Sequence, residues 1–346
     1  MKLIIQIPCY NEEQTLPYTL HDIPRNINGV DKVEILVIDD GSTDQTAQIA
    51  KQLKVDHILR LNKNKGLAQA FCAGLDSSLK LGADIIVNTD GDNQYEGKDI
   101  EKLIGPILEG EADIVVGDRQ VNDIAHFSFC KKVLQRLGSW VVRRFSGTNI
   151  KDTTSGFRAY SRDAALKINI VSPYTYTLET IIQAGKKQLK IIDVPIRTNK
   201  PLRESRLISS IADYIRRSGV TIIRMYTMFQ PLRVFFYVGT PLVVLGSLGV
   251  LRFLYFYFTG GGGGHIQSLV LSGVLIILGF ILYMIGLVAD IISLNRKLIE
   301  DVLYRIKKTE LALQCDCVNS SNKDQPEKPS DQSLEQLDNS LLSSVK

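Results

Sequence analysis

Residues 83–94 read Ala83-Asp84-Ile85-Ile86-Val87-Asn88-Thr89-Asp90-Gly91-Asp92-Asn93-Gln94. The β-branched run Ile85 to Val87 stops at two carboxylates one residue apart. It therefore reads as a buried strand that ends in an acidic loop. Open parallel sheets bind ligands at that end of their strands. Asp90 and Asp92, with the Gln94 amide oxygen nearby, form a hard-oxygen set suited to Mg²⁺ or Mn²⁺. A divalent ion so placed could hold a substrate diphosphate. Asp-Gly is also an ordinary turn dipeptide. A calcium loop is excluded: counting from Asp90, the sixth position requires Gly and holds Tyr95, and a strand rather than a helix precedes it.

The same pattern extends outward. Leu3–Ile7, Glu34–Ile38, His57–Leu61, Asp84–Val87 and Asp113–Val116 read as strands. Helical patterns separate them: one from near Glu12, one following the Ser42/Thr43 caps through Leu53, one over Gly66–Leu81 and one over Asp99–Glu109. This alternation predicts an α/β domain with a mostly parallel, Rossmann-like sheet. Lys131 to Phe145 reads as a further, basic helix.

The whole chain sets limits. Its 346 residues exceed one average domain, and 45% are hydrophobic, enough for a substantial core. A net charge of +4 gives no reason to expect a nucleic-acid partner. The five cysteines are scattered and complete no zinc pattern, so reduced, cytosolic thiols are expected. Met1 leads directly into a strand-like run, and no signal peptide is expected.

The second half changes character. Over residues 205–231, Leu207, Ile208, Ile211, Tyr214 and Ile215 share one helical face. Arg206, Ser209, Ser210, Asp213, Arg216 and Arg217 share the other. That is the pattern of a basic amphipathic helix at a membrane surface. Val234–Phe258 carries a single charge, Arg252, and Ser268–Ala289 carries none. Each is long enough to span a bilayer core of ~30 Å. Two spans are expected within 232–294, at about 234–258 and 268–290. Arg216, Arg217, Arg224 and Arg233 precede them, and Arg296, Lys297, Arg305, Lys307 and Lys308 follow. The glycine-rich link between the spans has no Lys or Arg. The positive-inside rule then puts both termini and the α/β domain in the cytosol, with the chain multi-pass in the inner or plasma membrane. A basic helix over 295–314 and a disordered tail over 315–346 complete the expected organisation, with 1–204 as the α/β domain.

Two further loops belong at the carboxylate edge. Ile7-Pro8-Cys9-Tyr10-Asn11-Glu12-Glu13 ends the first strand, and Asp39-Asp40-Gly41-Ser42-Thr43-Asp44 ends the second. An acid there can accept hydrogen bonds from a base or a ribose. The second loop also reads as a turn and helix cap. Taken together, these elements resemble the family-2 glycosyltransferases of the GT-A fold, in the branch of dolichol-phosphate mannose synthase and bacterial polyisoprenyl-phosphate glycosyltransferases. The likeness covers roughly residues 1–230, and some relatives carry a two-span hairpin after the domain. Pro8, Tyr10 and Glu12 match the family's first loop, and Asp39 and Asp40 its nucleotide-binding acidic pair. Asp90, Asp92 and Gln94 match its metal motif, and the resemblance counts Asp90 and Gly91, with Pro8, Tyr10, Glu12, Asp39 and Asp40, among the residues that bind the nucleotide sugar. Gly117-Asp118-Arg119 resembles its Gly-Ser-Arg, with Asp replacing Ser. Asp152-Thr153-Thr154-Ser155-Gly156-Phe157-Arg158 matches a further segment, and Arg203-Glu204-Ser205-Arg206-Leu207 resembles its basic Ser-Lys-Leu element.

The resemblance implies a nucleotide-diphosphate sugar as donor, a polyprenyl phosphate (undecaprenyl or dolichyl) as acceptor and inversion at the anomeric carbon. It implies a metal on Asp90, Asp92 and Gln94, with Arg119, Arg158, Arg203 and Arg206 as cations for the acceptor phosphate. Lys132 and Arg136 are weaker candidates for that role. Asp92, Arg119, Asp152 and Glu179 are the candidate catalytic residues; Asp152 or Glu179 would serve as base for a neutral acceptor. Glu179 reads equally as a helix-start acid. Two other readings stay open: a membrane-anchored transferase acting on another lipid or glycan, and an inactive scaffold of the same fold. Homo-oligomerisation is left open as well.

Overall fold

A computed structural model describes residues 1–120, 129–172, 175–199, 211–260 and 266–323, with the side chains of 129–137, 211–218, 221 and 314–323 excepted. The elements run β1 (Lys2–Cys9), α1 (Leu16–Asp22), β2 (Lys32–Asp39), α2 (Thr46–Gln52), β3 (His57–Arg60), α3 (Leu67–Lys80), β4 (Ile85–Asn88), α4 (Ile100–Leu108), β5 (Ile114–Asp118), α5 (Phe129–Ser146), β6 (Arg158–Ser161), α6 (Arg162–Lys167), α7 (Thr177–Lys186), β7 (Ile191–Pro195), α8 (Ile211–Phe229), α9 (Pro231–Phe258) and α10 (Ile266–Lys323).

All seven strands form one sheet, ordered β3-β2-β1-β4-β6-β5-β7. β1 pairs in parallel with β2 and β4, and β5 in parallel with β7. β6 alone runs antiparallel, wedged between β4 and β5. Helices cover both faces, so β1 is buried from Leu3 to Cys9 and reads as a continuous apolar run. Alternation still assigns its faces. Leu3, Ile5, Ile7 and Cys9 pack with Leu16 of α1 and with Ile100, Leu103 and Ile104 of α4. On the other face, Gly74 of α3 sits against Gln6 and Ile38; a Cβ there would lie 2.5 Å from Gln6 Oε1.

The five strands read from sequence are present, each within two residues of its expected ends. β6 and β7 were not anticipated. α1 starts at Leu16 rather than near Glu12. α2 starts at Thr46, and the expected Ser42/Thr43 cap is not formed. Ser42 Oγ instead accepts the Asn11 N–H at 3.0 Å, tying the β1 and β2 loops together.

α9 and α10 are each long and apolar enough to cross a membrane, and only 11% of each apolar window is buried. They pack through small residues. A Cβ on Gly239 would meet Gly279 O at 3.0 Å, and one on Gly279 would meet Gly239 O at 3.0 Å. Phe236 and Tyr283 stack at 4.3 Å. Such close backbone approach is how helices associate where no water drives them together. α10 is one helix to Lys323, so the second span and the expected 295–314 helix are continuous. The chain divides into two compact units, Met1–Tyr304 and Arg305–Lys346. Residues 324–346, most of the expected tail, lie outside the described residues.

Candidate active site

β1, β2, β4 and β5 all end at one edge of the sheet, and their loops carry the acidic residues. Three of these loops contain a non-glycine residue in the left-handed region: Asn11 (φ 55°), Asn93 (φ 55°) and Gln120 (φ 48°). Such conformations persist only where surroundings enforce them, and they concentrate at functional sites.

Asp90 and Asp92 project from the end of β4. Asp92 Oδ1 accepts the Gln94 N–H at 3.2 Å, which closes the loop locally. Burial, and then the charge of Asp92, push the Asp90 carboxyl up to about 7; the Arg119 charge and a hydrogen bond from Tyr95 oppose this. Gly91 between them is buried against β1, where a Cβ would lie 2.9 Å from Cys9 Sγ. Thr15 Oγ1 donates to Gly91 O at 2.9 Å and to Glu12 Oε2 at 2.7 Å, pinning the β1 loop to the acidic loop.

A buried polar chain sits beneath the carboxylates. Gln6 Nε2 donates to Asn88 Oδ1 at 2.9 Å, and Asn88 Nδ2 donates to Gly156 O at 2.9 Å. The Gly156 N–H donates to Tyr95 Oη at 3.0 Å. Gly156 is thus fixed at both ends, so close to Asp90 that a Cβ would lie 3.0 Å from both carboxylate oxygens. Tyr95, Asn88 and Gly156 as a spacer were missed in the sequence. The two Gly156 bonds join residues 61 and 68 positions apart, and no local pattern marks them.

Arg119, just past β5, forms a two-pronged pair with Asp152: Nε to Oδ2 at 2.6 Å and Nη2 to Oδ1 at 3.0 Å. Nη2 also donates to Thr154 Oγ1 at 2.7 Å. Burial opposes the Arg119 charge, but Asp152, Tyr95 and Asp90 outweigh it and raise its pKa. Burial likewise opposes the Asp152 charge, and Arg119 with Thr154 holds that carboxyl below the usual carboxylate value. Nη1 of Arg119 has no hydrogen-bond partner among the described residues.

On the nucleotide side the acidic pair divides. Asp39 is fully buried; Oδ1 accepts the Ser42 N–H at 2.8 Å, and Oδ2 lies 3.2 Å from Arg60 Nε without a well-formed hydrogen bond. That oxygen is withdrawn from water with its hydrogen-bonding capacity unfilled. Asp40 does something else: its oxygens accept the N–H groups of Lys65 and Gly66, each at 2.8 Å. It thereby shapes the 63–66 loop. Pro8 is buried, and Tyr10 stands at the rim, 40% exposed.

Two expectations are corrected. Arg158 is fully buried and donates to Ser155 O (2.8 Å), Thr177 O (2.8 Å), Thr153 O (3.0 Å) and Thr180 Oγ1, so no phosphate can reach it. Glu179 is fully buried as well. Its oxygens accept the N–H groups of Val171 (3.0 Å) and Ser172 (2.9 Å) and the Gln183 amide (3.1 Å), which gives it a structural role. Lys132 and Arg136 lie on α5, in the part whose side chains are not described. Arg203 and Arg206 lie outside the described residues. The segment leading to them is stitched to the acidic loop: Asn199 N–H donates to Gln94 O at 2.9 Å, and Asn199 Nδ2 to Asn93 O at 3.1 Å.

No group of three or more His, Cys, Asp or Glu gathers as a metal cage among the described residues. The donors nevertheless fit a divalent ion of the Mg²⁺ or Mn²⁺ kind. Such ions keep several waters and bind through one or two carboxylates plus substrate phosphates. Two adjacent carboxylates, one of which resists ionising beside the other, also call for a cation.

The mostly parallel sheet, its antiparallel β6 and the acidic loops at one edge define a glycosyltransferase of the GT-A fold. The family model for glycosyl transferase family 2 matches residues 4–168. The UDP-N-acetylglucosamine–dolichyl-phosphate N-acetylglucosaminyltransferase of Methanococcus voltae is 31% identical over 213 residues, 56% of this chain and 83% of that protein. The polyprenol monophosphomannose synthase of Mycolicibacterium smegmatis is 28% identical over 221 residues, 60% of this chain and 82% of that protein. The chain belongs to glycosyl transferase family 2. Glucosyl-3-phosphoglycerate synthase from Mycobacterium tuberculosis, solved with Mn²⁺, UDP and glucosyl-3-phosphoglycerate, shares the fold at a TM-score of 0.50 and 19% identity, over 65% of this chain and 78% of that one.

Proposed function

We propose that this glycosyltransferase moves a sugar from a nucleotide-diphosphate donor to a polyprenyl phosphate, with inversion, at the cytosolic face of the membrane that α9 and α10 span. One observation carries the choice of acceptor. Both carboxylates that could have served as a general base are engaged: Asp152 with Arg119, and Glu179 with backbone N–H groups. A neutral hydroxyl needs a base within reach of its proton. A lipid phosphate is already an anion at neutral pH and needs none. One relative named for transfer to dolichyl phosphate and another named as a polyprenol monophosphomannose synthase support the same acceptor class.

The parts then take these roles. Asp39 Oδ2 receives a base N–H of the donor, while Glu12, Gly91 and Pro8 hold the β1 and β4 loops against each other. Asp90, Asp92 and Gln94 would hold a divalent ion, which would supply positive charge to offset that of the departing diphosphate. Arg119, kept charged and oriented by Asp152, offers Nη1 to the acceptor phosphate, and Arg203 and Arg206 add charge from the segment after Asn199. A guanidinium aligned before reaction loses little freedom in the transition state. Each buried CH₂ of the acceptor contributes about 0.8 kcal/mol to its hold on the bilayer, so the enzyme must come to the lipid.

The test compares undecaprenyl phosphate, dolichyl phosphate and diacylglycerol as acceptors for purified full-length protein with Mn²⁺ or Mg²⁺. Transfer to the phosphates alone is expected. Transfer to diacylglycerol alone would move the enzyme to the hydroxyl-acceptor reading.

A further inference from the structure

A second charged site lies away from the carboxylates, where three elements meet. α7 begins beside the active site, since Tyr176 Oη accepts from Asn88 Nδ2 at 2.9 Å. It ends at Lys186, ten residues and ~15 Å further on. There α10 meets α8 and the residue just past α7, before a further contact in which Tyr304 Oη donates to Asp163 Oδ1 at 2.7 Å. Ser293 Oγ donates to Met228 O at 3.0 Å, and Lys187 Nζ pairs with Glu300 at 2.9 Å. Residues 293, 297 and 300 recur at helical spacing on one face, so Lys297 lies between these two contacts. Arg233, at the start of α9, is the third element's cation; among the described residues its Nη1 reaches only Gln230 Oε1, at 3.4 Å.

The charges at this seam do not balance. Glu300 already serves Lys187 and also Arg296, whose Nη2 lies 2.6 Å from Glu300 Oε1. Even so, Nη1 and Nη2 of Arg296 are withdrawn from water without a well-formed hydrogen bond. Asp290, two turns before Lys297, pairs with no described residue. Lys186, Arg233 and Lys297 have no carboxylate within ion-pair distance among the described residues. Burial, then the charges of Arg233 and Lys297, draw the Lys186 ammonium below the usual lysine value. The positive-inside rule accounts for cations beside a span. It does not account for three of them, from α7, α9 and α10, converging without a counter-ion.

We infer that Lys186, Arg233 and Lys297 bind the phosphate of an anionic phospholipid at the seam between the sheet domain and the membrane hairpin. The occupant is a lipid because Arg233 and Lys297 flank the cytosolic ends of the two apolar helices, where headgroup phosphates lie. The site is separate from the acceptor site. It holds a bilayer lipid as a bridge between domain and hairpin, and it rests on the reading of α9 and α10 as spans.

The experiment uses full-length protein in a neutral detergent and follows thermal unfolding during titration with phosphatidylglycerol, phosphatidylcholine or inorganic phosphate. Phosphatidylglycerol should raise the midpoint, and the other two should not. The K186Q/R233Q/K297Q variant should bind phosphatidylglycerol at least about tenfold more weakly, since each basic residue contributes about fivefold near an anionic surface. The control K51Q/K54Q/K98Q, which removes equal charge from exposed positions, should behave as wild type. If the triple variant does not fold, K297Q alone should weaken binding about fivefold. An unchanged response in these variants, or the same shift with phosphate alone, overturns the lipid site. Turnover is not the readout, so sugar transfer that persists without any phosphatidylglycerol response counts against this site alone.

Discussion

Arg119 and Asp152 meet in a two-pronged ion pair, with their side chains only 9% and 1% exposed. The pair stands within electrostatic reach of Asp90. We propose on this geometry that Asp152 positions Arg119. Asp152→Asn leaves a buried guanidinium without its counter-charge, a change that costs about 3–5 kcal/mol when a buried pair is broken. The variant should melt at lower temperature and turn over at least about a hundredfold more slowly, a loss of ~2.7 kcal/mol in transition-state stabilisation. Its pH–rate profile should keep the wild-type shape; a lost ascending limb would instead mark Asp152 as a general base.

Arg158 and Arg119 should separate cleanly. Arg158→Lys removes a planar fork that reaches four acceptors inside the protein. It should cost on the order of 3 kcal/mol in stability while leaving the acceptor KM of the surviving enzyme unchanged. Arg119→Lys should raise the acceptor KM or lower kcat with a smaller change in melting temperature. Steady-state kinetics and thermal melts on both variants check this.

Gly156 is the spacer between the buried polar chain and Asp90. A Cβ added there would lie 2.9 Å from Tyr176 Oη and 3.0 Å from both Asp90 oxygens. Real Cβ atoms do not sit at such distances without displacement. Gly156→Ala should therefore retain its circular dichroism spectrum, raise the Mn²⁺ concentration needed for half-maximal turnover and lower turnover by about tenfold or more.

Acid should loosen the opposite end of β2. Burial opposes the Glu34 charge there, but Lys2, Lys32 and His57 hydrogen-bond the carboxylate and lower its pKa from 4.5 to about 2. The unfolded chain then takes up a proton more readily than the folded one. The stabilisation is complete above pH 4.5 and is lost as pH falls toward about 2. Glu34→Gln should flatten this acid limb in melting curves recorded across that range.

Strands such as β2 and β4 were legible because the apolar runs Ile35–Ile38 and Ile85–Val87 stop at acidic loops, whereas the parallel β7 was not read. β6 was not, since Arg158–Ser161 is short and mixes polar with apolar residues, and its antiparallel place depends on partners in β4 and β5. Asp90, Asp92, Arg119 and Asp152 were found by residue type and order, and the fold brings them together. Asp40, Arg158 and Glu179 show what order cannot convey. A carboxylate or guanidinium serves equally well to bind a ligand or to tie down a loop, and only its neighbours decide. The seam at Lys186, Arg233 and Lys297 was invisible for the same reason, because its members come from three distant helices.

We propose that Asp90 and Asp92 serve sugar transfer from a nucleotide diphosphate to a lipid phosphate. Membranes carrying the protein, or its Asp92→Asn variant, are incubated with polyprenyl phosphate, Mn²⁺ or Mg²⁺, and a panel of radiolabelled nucleotide sugars, and label is counted in the extracted lipid. Label should appear in the lipid phase from one donor class, be lost on chelation and fall at least about a hundredfold in Asp92→Asn. No transfer from any donor, or transfer that Asp92→Asn and chelation leave unchanged, would contradict it.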